Sequence, residues 1–203
     1  MLADMESQPL MIAGVAFDLY AGLFTPSEVA SFCGVKRPVI DTMATRGLIV
    51  ASRRERLTHR PLFSFRDVFK VRMMRSLAPV GVGLGDSSSM ADEAKTKKMP
   101  ESEAMMDDLA QIADAPATKG EWMWAMARSV ERGKPLLIYA YATRAQKKWQ
   151  FDMHIESAGV DRPTEPPCFG WETAHVYVPV GNIFIAVYIE CKKSLGLTMD
   201  LGT

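Results

Sequence analysis

The first apolar segment of the chain runs from Pro9 to Phe24, broken by a charge at Asp18 and containing Gly14 and Gly22. It falls short of the roughly 18 to 20 uncharged apolar residues that a membrane-spanning helix needs. Only the acids Asp4 and Glu6 precede it, so a signal peptide, which opens on basic residues, is not expected here. The pattern predicts a helix buried in its own domain or packed across a partner. From Thr25 the period turns helical. Thr25 is placed to cap, Pro26 suits the first helical position, and Glu28 completes the spacing of a capping box. Val29, Ala30, Phe32 and Cys33 supply a buried stripe, and Gly34 ends it. Val35 to Pro38 makes a tight turn into a second helix from about Pro38 to Arg46. Val39, Ile40 and Met43 are expected inside, Lys36, Arg37, Asp41, Thr42 and Thr45 outside, and Gly47 as the stop.

Two short apolar runs follow, Leu48 to Val50 and Leu62 to Phe65, around a tip that holds Arg53, Arg54, Arg56, His59 and Arg60. They predict a β-hairpin with a basic end. Arg66 to Leu77 then has helical spacing through Val68, Phe69, Val71, Met74 and Leu77, with Arg66, Lys70, Arg72 and Arg75 on the solvated side. Ala78 to Ser89 is rich in Pro, Gly and Ser and predicts a hinge.

Beyond the hinge, Ser102 to Ala113 predicts a short helix and Lys119 to Arg132 a longer one carrying Trp122, Met123, Met126, Ala127 and Val130. The period then shortens to two. Leu136 to Ala142 is a strand-type run, and Trp149, Phe151, Met153 and Ile155 alternate with polar residues as in a half-buried strand. Ala174 to Val180 and Ile183 to Cys191 flank Gly181-Asn182, which predicts a hairpin with a two-residue turn. The expected fold class is α+β: an N-terminal winged helix-turn-helix over residues 1–80, a linker and short helix over 81–118, and a helix with an antiparallel sheet of about four strands over 119–203.

Charge sharpens this division. The whole chain is formally neutral, yet Thr25 to Arg75 holds eleven Lys and Arg against four acids, a net +7, so the remainder carries −7. A concentrated cationic module is what a line of phosphates attracts.

The string TPSEVASFCGVKRPVIDTMATRGLI resembles, without a gap, the first helix, turn and recognition helix of the MerR family of bacterial transcription regulators. RPLFSFRDVFKVRMMRSLAPVGVGL resembles that family's wing exit and next helix, including Asp67-Val68 and Gly81. The resemblance covers residues 25–84, and excisionases and small phage terminase subunits share the compact winged pattern. It implies a sequence-specific regulator that binds double-stranded DNA as a homodimer, and the three widely spaced cysteines set the expectation of a reducing bacterial or phage-encoded cytoplasm. Lys36, Arg37, Thr42 and Thr45 would approach base edges or flanking phosphates, with Arg46 beside them. Arg53, Arg54, Arg56, His59 and Arg60 would fix the wing on the backbone, and Arg66 or Arg72 would add contacts. Where the family has an Arg and two Tyr, this chain has Asp41, Thr42 and Met43; Asp41 would accept from a cytosine amino group or pair with Arg37 or a wing arginine. Pro100, Pro116 and Gly120 also interrupt the region of the family's long dimerising helix.

Other chemistry finds little support. Cys33, Cys168 and Cys191 are odd in number and widely spaced, and neither a CxxC nor an HxxxH spacing occurs, so neither a disulfide framework nor a metal site is expected. No nucleophile elbow, P-loop or glycine-rich dinucleotide turn is present, and no cofactor or catalysis is expected. Trp122, Trp124, Met126, Trp149 and Trp171 suit a core or an apolar ligand chamber, so the C-terminal half is expected to dimerise and to sense an effector or a protein. The rival readings are a phage or plasmid recruitment factor for a recombinase or packaging machine, and a protein-interaction module whose basic face binds an acidic partner.

Overall fold

A computed structural model describes residues 10–12, 15–96, 122–131, 133, 137–145, 148–156 and 174–197. The fold is α+β, with six α-helices and only antiparallel strand pairs among the described residues. The chain divides into two compact units, Met1–Phe69 with Val187–Thr203, and Lys70–Ala186.

The first unit opens with β1 (Leu10–Ile12) and β2 (Val15–Phe17), paired antiparallel with Ile12 opposite Val15. This corrects the helix expected over Pro9 to Phe24: only Ala13 and Gly14 separate the paired residues, and valine, isoleucine and phenylalanine favour extended backbone. α1 (Pro26–Cys33) follows the sequence reading closely. Thr25 accepts from the Glu28 amide, the Glu28 carboxylate accepts from the Thr25 amide at 2.8 Å, and Gly34 closes the helix in the left-handed conformation. Val29, Ala30 and Cys33 are buried and Phe32 half-buried, edge-on to the Phe24 ring.

α2 (Arg37–Thr45) buries Ile40 and Met43. Val39, expected inside, is 40% exposed, because on a helix inward at 40 and 43 residue 39 lies at the margin of that face, about 70° from its centre. The hairpin is shorter than the sequence implied: β3 (Arg53–Arg54) pairs with β4 (Pro61–Leu62), and Phe63 bridges to Phe24. Leu48 to Val50 is bend rather than strand, with Ile49 buried and Val50 in solvent, and Phe65 begins the next helix. Along the last part of the unit, Tyr188 and Cys191 are buried, and the Phe65 ring meets Tyr188 edge-on.

α3 (Phe65–Leu77) and α6 (Val180–Ser194) each contribute residues to both units. In the second unit, Val71, Met73, Met74 and Leu77 of α3 are buried. Lys70, expected on the solvated side, is only 5% exposed and donates to Asp92 at 2.5 Å. Ala78–Val80 is a 3-10 turn, and the serine-rich stretch read as a hinge is α4 (Leu84–Thr96), with Ser87, Ser88, Met90, Ala91 and Ala94 buried. Small side chains suit a helix that packs closely, a use that composition alone does not separate from flexibility. α5 (Trp122–Glu131) lies within the helix expected over Lys119 to Arg132; Trp122 is fully buried and donates to the Ala94 carbonyl at 2.6 Å. The helix expected over Ser102 to Ala113 lies outside the described residues.

The sheet has order β6-β5-β7, from β5 (Leu137–Ala145), β6 (Lys148–Glu156) and β7 (Ala174–Val178). Ile138, Ala140, Ala142, Phe151, Met153 and Val178 are buried. Three strands are described where about four were expected, because the stretch after Pro179 is helix α6. Gly181 and Asn182 belong to its first turn rather than to a hairpin. The buried set Val180, Ile183, Phe184, Val187, Tyr188 and Cys191 has helical spacing, which the β-branched composition concealed. Gly181 also has a packing reason: a Cβ there would lie 3.2 Å from the Ile138 carbonyl oxygen.

Candidate nucleic-acid interface

Within the first unit, the charged residues singled out from the sequence lie on α2 and the hairpin. Lys36 occupies the N-cap position of α2, and Lys36, Arg37, Asp41, Thr42, Thr45 and Arg46 are all exposed. Arg37 Nε lies 3.7 Å from Asp41 Oδ2, so the acid on this face is met by a cation one turn away. The Thr42 hydroxyl donates to the Pro38 carbonyl at 2.7 Å and the Thr45 hydroxyl to the Asp41 carbonyl at 2.9 Å. With their protons committed to the backbone, the hydroxyls of these two exposed residues are left with acceptor capacity. Val39 joins this face.

The hairpin base is pinned from below. The Leu23 and Phe24 amides both donate to the Phe63 carbonyl at 3.0 Å, and the Phe63 amide returns a bond to the Phe24 carbonyl at 2.8 Å. Gly22 permits this approach: a Cβ there would come within 2.8 Å of Arg53 Cγ and 3.0 Å of the Leu62 carbonyl oxygen. The tip closes on itself. Glu55 donates its amide to the Arg60 carbonyl and accepts from the His59 amide, the Thr58 hydroxyl bonds the Glu55 carboxylate, and Arg54 Nη1 reaches the His59 carbonyl at 3.3 Å. His59 sits at φ +53°, so its place in the loop is backbone geometry as much as side-chain chemistry.

Residues 52–60 are exposed throughout. Arg53, Arg54, Arg56 and Arg60 make no ion pair with a carboxylate among the described residues. Leu57, 92% exposed between Arg56 and Thr58, was not singled out from the sequence. Its signal was available, since an apolar residue inside a charged loop has no stripe to join.

Arg66 and Arg72 separate from this group. Arg66 is half-buried, its guanidinium 4.6 Å from the centre of the Tyr20 ring, and Arg72 is half-buried further along α3. Arg66 is therefore a packing cation held by an aromatic face.

The two described cysteines are buried and free. Cys33 Sγ donates to the Val68 carbonyl at 3.4 Å. Burial pushes the Cys191 thiol far above its ordinary value, with Cys33 and the acids Glu190 and Glu28 adding to the effect, and a protonated buried thiol is a poor ligand and nucleophile. Among the described residues no group of three or more His, Cys, Asp or Glu is placed to hold a metal, and no helix is long and apolar enough to cross a membrane.

No protein-family model matches the chain, and no curated protein matches it significantly.

Proposed function

We propose that the first unit is a MerR-like winged helix-turn-helix that binds double-stranded DNA, and that the protein is a homodimeric transcription regulator. The observation that carries the reading is the hairpin tip, where four arginines stand in solvent without carboxylate partners. Ion-paired arginines would have to break salt bridges to meet phosphate, and these four have none among the described residues. In this reading α2 enters the major groove with Thr42, Thr45 and Val39 at base edges, the methyl groups suiting thymine and the hydroxyl oxygens accepting from adenine or cytosine amino groups. Lys36, Arg37 and Arg46 take flanking phosphates, and the hairpin lies along the backbone.

The test is a salt titration of duplex binding by the intact protein and by the Arg53→Ala, Arg54→Ala double variant. Each phosphate contact adds about 0.9 to the slope of log K against log salt, so the double variant should flatten that slope by about 1 to 2 and weaken binding to all sequences alike. A double variant with the affinity and slope of the wild type would overturn the reading. Wild-type protein that binds no duplex at any salt would turn attention to an acidic protein partner.

A further inference from the structure

The second unit holds a recess of about 280 Å³, open to solvent, between α4 and β6. α4 lines it with Asp86, Met90 and Glu93, which share one face with Ser89 through their spacing of three, four and seven. β6 lines it with Trp149 and Phe151, two residues apart on one side of the strand, and with Gln150 at the edge. Met90 and Phe151 are buried and Trp149 is half-buried, so the floor and one wall are apolar. The carboxylates mark the two ends. At 1.5 Å per residue, Asp86 and Glu93 stand about 10 Å apart along the helix axis.

Two observations select the occupant. Neither Asp86 nor Glu93 makes an ion pair among the described residues, whereas the third acid of the helix, Asp92, is already engaged by Lys70 and Lys95. The recess is also small, just below the roughly 300 to 1,000 Å³ of drug-sized pockets. An anion would meet two like charges there, and a compact metal ion would reach one carboxylate and gain nothing from the apolar floor.

We propose that this recess binds a linear aliphatic diamine or polyamine. One ammonium group lies at Asp86 and another at Glu93, where charge-assisted hydrogen bonds form, and the methylene chain between them covers Met90, Phe151 and the Trp149 ring. The side-chain oxygens of Ser89 and Gln150 are the further acceptors. The inference does not rest on the DNA-binding reading, and its test contains no DNA.

The test is isothermal titration calorimetry of the full-length protein with spermidine, butylamine and magnesium chloride at about 150 mM salt, where diffuse surface attraction is screened. Spermidine should bind saturably at one site, with butylamine and magnesium at least tenfold weaker. Asp86→Asn and Glu93→Gln should each cost about tenfold, and Trp149→Leu a smaller factor, with thermal melts reporting whether each variant is folded. Both acids are exposed, so their amide variants are expected to fold. The proposal fails if spermidine gives no saturable heat up to the millimolar range. It fails equally if the Asp86→Asn, Glu93→Gln double variant binds spermidine as the wild type does, or if magnesium binds as well as spermidine.

Discussion

Lys70 is an ammonium group almost fully removed from water, and its charge is tolerable because Asp92 accepts from it at 2.5 Å while Lys95 holds the other carboxylate oxygen at 3.0 Å. Burial alone would raise the Asp92 pKa; the two lysines outweigh it through hydrogen bonds and charge and hold it below its ordinary value of 3.8. Glu28 follows the same balance: burial raises it, and bonds from the Thr25 amide and hydroxyl and from the Ser194 hydroxyl bring it below 4.5. A depressed carboxyl pKa contributes stability that is full above the unfolded value and is lost as pH falls through the folded one. Thermal melts from pH 6 to pH 3 should therefore steepen in their decline below about pH 4 to 4.5. Asp92→Asn should flatten that acid limb while lowering the melting temperature at pH 6, because it strands the Lys70 charge. The same melting temperature for both proteins at pH 6 would show that Lys70 does not need its partner. At the proposed interface, Thr42→Val keeps the shape and removes the acceptor, so selection from a random duplex pool should yield a changed base at one position of the site rather than a uniform loss of affinity.

At the scale of the element, α1 and the hairpin are held by different means. α1 is a short helix whose ends are specified locally, and Thr25→Ala should cost about 1 kcal/mol in urea unfolding, since it leaves the Glu28 amide without its acceptor. The hairpin has two ladder pairs and depends on the strand-like bridge between Phe24 and Phe63 and on the closeness that Gly22 allows. Gly22→Ala forces a Cβ into the space of Arg53 Cγ and the Leu62 carbonyl. Arg53 Cγ can swing away; the carbonyl, fixed by its bond from the Ser52 amide at 2.9 Å, cannot. The variant should lose on the order of 1 to 3 kcal/mol, as overpacked sites do, and under the proposed function it should weaken duplex binding more than its stability loss explains, because the hairpin strand shifts. Wild-type stability together with wild-type binding would mean that the hairpin does not rest on this contact.

For the whole molecule the governing quantity is the separation of charge. A net +7 lies within Thr25 to Arg75 and −7 in the rest of a chain that sums to zero. Like charge concentrated along one stretch of the chain raises encounter rates with phosphate, and the first unit holds eight of its eleven cations, while Lys70, Arg72 and Arg75 belong to the second. Genome-wide binding by the intact protein near physiological salt should give discrete peaks over inverted repeats at promoters, lost in the Arg53→Ala, Arg54→Ala variant. Enrichment that is featureless, or unchanged in that variant, would contradict a dimeric regulator reading its site through this hairpin.

The sequence by itself determined what is local: the caps of α1, the start and stop of α2, the basic tip, and the alternation of Phe151 and Met153 with Gln150 and Asp152 in β6. These follow from neighbours within a few residues, where backbone hydrogen bonding and side-chain period act directly. Tertiary structure decided the rest. An apolar run reads alike as a buried strand or a buried helix until its neighbours are known, which is why Val180–Ser194 is a helix where a hairpin was expected. Serines serve a packed helix as well as a hinge, and Leu84–Thr96 became the former, turning Asp86 and Glu93 toward a recess that no spacing in the sequence announced. Lys70 and Arg66 carry the same charge sign as the arginines of the hairpin, and the approach of Asp92 and Tyr20 gave these two a structural place, because a cation leaves water only where a partner from elsewhere in the chain replaces it.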